Sequence, residues 1–121
     1  MSPRTQSMRQ YGTLVLAGVL LGGCAAEISY QQGEAMITEG RWAEAVQYYQ
    51  DAARHDPRNV EVRIGLARSM VFAAEDWVRR GADAEKAERI EEAATAYRRA
   101  LAYNAENSAA LAGLDRLSRA Q

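Results

Sequence analysis

Residues 41–59, RWAEAVQYYQDAARHDPRN, and residues 89–107, RIEEAATAYRRALAYNAEN, decide the fold. Superposed at an offset of 48 positions, they pair Arg41 with Arg89, Glu44-Ala45 with Glu92-Ala93, Tyr49 with Tyr97, Ala52 with Ala100 and Asn59 with Asn107. The offset holds outward. Gly33 pairs with Gly81, and Gly65-Leu66-Ala67-Arg68 with Gly113-Leu114-Asp115-Arg116. Self-similarity at a fixed spacing marks a repeated supersecondary unit. Alanine is abundant while β-branched and aromatic residues are few, so the unit is built from helices and the fold class is all-α. The small Ala45, Ala52, Ala93 and Ala100 permit close helix approach, and Tyr49 and Tyr97, one turn away, supply bulk for the groove. Gly40 suits a helix end that needs positive φ. Pro57 disfavours helix at Asp56, and Asn59 can cap the next helix.

About five helices follow: Glu27–Thr38, Trp42–Arg54, Val60–Ala87, Arg89–Tyr103 and Ser108–Arg119. The 14 residues between the copies, 60–73, amount to nearly four turns. An apolar series runs through them: Val60, Ile64, Ala67, Val71, Ala74, Val78 and Gly81. The third helix is therefore expected to be continuous and about 42 Å long; the alternative breaks it near Gly81-Ala82-Asp83, with Asp83 as a new cap. Its neighbours are short enough to leave some of Val71, Phe72 and Val78 without cover. The last helix, a second copy of the chain or a partner surface could each supply it.

These positions resemble the tetratricopeptide repeat, a 34-residue helix–turn–helix unit. The matches are Gly33, Gly40, Ala45, Tyr49, Ala52 and Pro57 in the first copy, and Trp77, Gly81, Ala93, Tyr97 and Ala100 in the second. The second copy departs from the pattern where Glu88 replaces the turn glycine and Ala105 the proline. The resemblance implies two repeats, 26–59 and 74–107, an extension at 60–73 and a capping helix at 108–119. It also implies a curved stack whose inner surface is lined by the first helix of each unit. Carried over residue by residue, that surface takes Tyr30, Glu34 and Ile37 from the first helix, and Arg68 and Phe72 from the third. Such a groove suits an extended or helical segment of a protein partner.

The start of the chain carries a separate signal. Arg4 and Arg9 precede the apolar run Leu14–Leu21, which ends in Leu21-Gly22-Gly23-Cys24. This is the order of a secretory signal: basic region, short apolar region, small residues before a cut. The run is too short and too glycine-rich for the roughly 20 residues of a spanning helix. Leu-Gly-Gly-Cys resembles the lipobox of bacterial lipoproteins. That likeness implies a signal peptide at 1–23, cleavage before Cys24, a diacylglycerol on its thiol, and a mature domain of residues 24–121. Two or three acyl chains would meet the two-signal requirement for stable anchoring. Ala25, rather than aspartate, after the cysteine implies the outer membrane, facing the periplasm. A cleaved soluble export and an uncleaved anchor are the alternatives.

Without residues 1–23 the chain has 13 Lys+Arg against 16 Asp+Glu, a formal charge of −3. That balance opposes nucleic-acid binding, which needs clustered positive charge. The single cysteine excludes a disulfide framework, and the single histidine, His55, excludes a two-histidine metal site. His55 lies beside the Asp56-Pro57 turn, where it can meet helix C-terminal carbonyls. Glu75-Asp76 and Glu91-Glu92 are adjacent carboxylates that diverge on a helix. Arg79-Arg80 and Arg98-Arg99 are expected in solvent, and Trp42 and Trp77 in packing. With no nucleophile–base set and no phosphate loop, the chain is expected to be no enzyme and to carry no cofactor beyond the lipid. The resemblances imply a lipid-anchored adaptor of the cell envelope that binds protein partners in a secretion or pilus machine. The order of lipobox and paired repeats is also similar to the N-terminal region of lipoprotein secretins. The alternatives are a module or truncated form of such a channel protein, or a structural homo-oligomer.

Overall fold

The computed structural model describes residues 23–121; all of the expected signal peptide at 1–23 except Gly23 lies outside them. Its helices follow the breaks written in the sequence. Helix α1 covers residues 23–38, α2 Trp42–His55, α3 Val60–Lys86, α4 Ile90–Tyr103 and α5 Ser108–Arg119. Helix α1 thus takes in Cys24 and begins earlier than Glu27, and the other ends agree with expectation to within a residue. Gly40 ends α1 at φ 70°. Asn59 accepts from the Val62 backbone N–H at 3.2 Å, and Asn107 from Ala110 at 2.9 Å. Each caps the helix that follows by satisfying an N–H with no partner inside the helix.

Helix α3 is continuous through Gly81-Ala82-Asp83. Its 27 residues span about 40 Å at 1.5 Å each. It contacts α2, α4 and α5 and so belongs to both modules. The alanine seam is as expected: Ala45, Ala52, Ala93 and Ala100 are fully buried.

The apolar series along α3 needs correction. In its first half the buried residues are Val62, Gly65, Ser69 and Ala73, whereas Val60, Ile64, Ala67 and Val71 lie on the exposed side. Only from Ala74 onward does the series turn inward, with Val78 packed against the core and Gly81 buried. The reason is the change of neighbour along one helix. Early α3 contacts the first module, late α3 contacts α4 and α5, and the inward face rotates between them. Helix α5 does not fold back over Val71 or Phe72, which stay 48% and 42% exposed.

Candidate functional site

Tyr49 and Tyr97 organise the two modules, and glycines make room for them. The Tyr49 ring lies between Gly33 of α1 and Gly65 of α3; a β-carbon on Gly65 would come within 2.6 Å of it. The Tyr97 ring lies between Gly81 of α3 and Gly113 of α5, where a β-carbon on Gly113 would meet ring atoms at 2.5 Å. Both rings are buried. A fully buried aromatic removes roughly 150–250 Å² from water, a gross stabilisation on the order of 4 kcal/mol. Because the glycines carry no side chain, three helices close on one ring.

Each hydroxyl emerges at a carboxylate. Tyr49 donates to Glu34, which also accepts from Arg68 at 3.4 Å. Tyr97 donates to Glu85 at 2.8 Å, and Arg116 grips the same carboxylate with two bonds of 3.1 Å. Tyr49–Arg68 and Tyr97–Arg116 obey the offset of 48, but the carboxylates do not. The position equivalent to Glu34 is Ala82, and Glu85 follows one turn later on the same helix. That displacement hid the second triad from sequence comparison. Burial raises the phenol pKa of both tyrosines, and the neighbouring carboxylates add to it. Arg116, then Tyr97, holds the Glu85 carboxyl below its usual range.

Among the five expected groove residues, Tyr30, Glu34 and Arg68 gather around Tyr49. Tyr30 meets the Tyr49 ring edge-on at 5.7 Å. Ile37 is half-buried on α1, one turn beyond Glu34. Phe72 lies one turn beyond Arg68 and stacks on Trp42, with ring centroids 4.4 Å apart. Glu34 and Arg68 pair with each other, so the polar centre of this surface carries no net charge. Its apolar ends are Ile37 and Phe72. Cys24 is exposed in α1. His55, in the last turn of α2, stands 3.9 Å from Asp51.

Sequence reasoning missed a second assembly. Arg80 and Arg99, expected in solvent, both lie against the Trp77 ring, at 4.5 and 4.7 Å from its centroid. Adjacent arginine pairs gave no sign of it, because only one member of each pair reaches the indole. Among the described residues no group of three His, Cys, Asp or Glu side chains is placed to hold a metal ion. No helix there is long and apolar enough to cross a membrane.

A family model described as tetratricopeptide repeat matches residues 36–75. No curated protein matches the chain. Several solved structures do. An Arabidopsis OM64 TPR domain is 24% identical, with 81% of this chain and 98% of that one covered at a TM-score of 0.40. The first TPR of Spaghetti (RPAP3), bound to the HSP90 peptide SRMEEVD, is 23% identical, with 81% and 94% covered at 0.39. The first TPR domain of human RPAP3 is 22% identical, with 79% and 91% covered at 0.38. Helical hairpins with small-residue seams, and a repeat match over residues 36–75, make this an all-α fold of the tetratricopeptide type.

Proposed function

We propose that the chain is a lipid-anchored adaptor of a bacterial cell envelope, binding a segment of a protein partner along α1 and the first half of α3. The observation that carries this reading is the row of Tyr30, Glu34 and Ile37 on α1 with Arg68 and Phe72 on α3. Apolar and aromatic ends flank a fixed polar centre, which suits a segment offering both apolar side chains and backbone hydrogen bonds. Leu21-Gly22-Gly23-Cys24 supports the lipid anchor, and Ala25 supports the outer membrane. Assembly of a secretion or pilus machine is the setting that the lipobox and repeats together favour.

The test uses the full chain in envelope-bearing cells, with a photo-crosslinking residue at Ile37 or Phe72. The expected result is one discrete protein adduct from both positions, weakened at least tenfold by Glu34→Gln combined with Arg68→Gln. Adducts consisting only of a second copy of the chain would establish the homo-oligomer and end the adaptor reading. For the anchor, mass measurement should show acyl chains on Cys24 and none in Cys24→Ser. A mature wild-type chain lacking them would refute it.

A further inference from the structure

The second module differs from the first at one place that the repeat itself defines. In the first module the Ser29 hydroxyl donates to Asp51, closing α1 onto α2. The equivalent residues in the second module are Trp77 and Arg99. Nearby, half-buried Tyr48 of the first module becomes buried Ala96 in the second. The exchange of large and small residues leaves a cavity of about 500 Å³ between α3 and α4, lined by Trp77, Arg80, Ala96 and Arg99, with Glu91 and Glu92 alongside.

Filling space would account for Trp77 alone. It does not account for two guanidinium groups on one indole, where cation–π attraction to Trp77 holds two like charges beside the same pocket. Among the described residues neither Arg80 nor Arg99 takes part in an ion pair. A guanidinium stacked on an aromatic ring still presents its N–H edge, which matches a carboxylate fork to fork. The stacking fixes both side chains in advance, lowering the entropic cost of binding. On the opposite side Glu92 is engaged by Arg89 at 3.2 Å, whereas Glu91 has no ion-pair partner among the described residues and can accept from an N–H.

We propose that this cavity binds an acidic side chain of a peptide segment. Its carboxylate is held by Arg80 and Arg99, its methylenes lie on Trp77, and a backbone N–H is directed to Glu91. A bare anion would engage the arginines but bring Glu91 no donor; a peptide supplies a carboxylate and an N–H donor together. The site uses none of Tyr30, Glu34, Ile37, Arg68 or Phe72, so it stands or falls separately from the α1–α3 surface.

The test is tryptophan emission of the full chain carrying Trp42→Phe, so that Trp77 alone reports. The probe is an N-acetylated, C-amidated tetrapeptide of glutamates, and the glutamine tetrapeptide is its control. The expected result is a saturable change with the glutamate peptide only. It should weaken as salt rises, fall at least tenfold in Arg80→Gln and in Arg99→Gln, and persist in Arg63→Gln, a change of the same charge at an exposed position of α3. Both arginines are exposed, so their replacement should leave the fold intact, and thermal melts of the variants check this. Equal response to the glutamine peptide, to inorganic phosphate, or to phosphatidylglycerol vesicles in place of the peptide overturns the proposal. Full binding retained in both arginine variants, or no binding by the parent protein, overturns it too.

Discussion

Glu88 occupies φ 60°, a left-handed conformation held at the matching turn of the first module by Gly40 at φ 70°. A β-carbon there costs about 1 kcal/mol or more. Glu88→Gly is therefore expected to stabilise the protein by about 1 kcal/mol, a rise in Tm of roughly 4–8 °C for a domain of this size. The glycines around the tyrosines behave in the opposite sense. Gly→Ala inside a helix ordinarily gains up to about 1 kcal/mol of propensity. At Gly113 the new methyl would press into the Tyr97 ring, and overpacking costs roughly 1–3 kcal/mol. Gly113→Ala should thus lower stability in denaturant titration; a neutral or stabilising result would mean that the ring slot is looser than the structure gives it.

Glu85 of α3, clasped by Arg116 of α5 and Tyr97 of α4, ties three helices at one carboxylate. Its pKa is depressed in the fold, so its stabilisation is complete above the ordinary glutamate value of about 4.3 and is lost as pH falls through the folded value. Glu85→Gln should be the less stable protein at pH 7. Its deficit against wild type should shrink below about pH 4, as read from urea midpoints at pH 7 and pH 3. At this scale much was legible beforehand. Repetition at 48 residues, Gly40, Pro57 and Asn59 placed the helix ends, and the alanines named the seam. The inward face of early α3 was not legible, because Val60, Ile64, Ala67 and Val71 keep a helical spacing whether or not a neighbour covers them. Glu34 with Arg68 could be nominated from the family pattern. Trp77 with Arg80 and Arg99 was not legible, since residues on α3 and α4 meet only after the hairpin closes.

Both modules share α3, which couples their stability. Repeat units joined through large interfaces unfold together, whereas weakly joined units separate. In a Trp77→Phe background Trp42 reports on the first module alone. Its emission melt and the far-UV circular dichroism melt should coincide. Adding Gly113→Ala, a lesion in the second module, should shift both by the same amount. Two separated transitions would show that α3 does not transmit stability between them.

On α3, Phe72 stacks on Trp42 of the first module, and Ala74, two residues on, lies in the core packed by α4 and α5. A residue added or removed at that narrow joint would leave each tyrosine in its slot. It would nonetheless swing one hairpin against the other by about 100° around the shared axis and shift it by about 1.5 Å. The helix therefore works as an angular gauge. The relative aim of the two proposed binding faces is written in a residue count, so a change in chain length there would retarget the molecule without unfolding it.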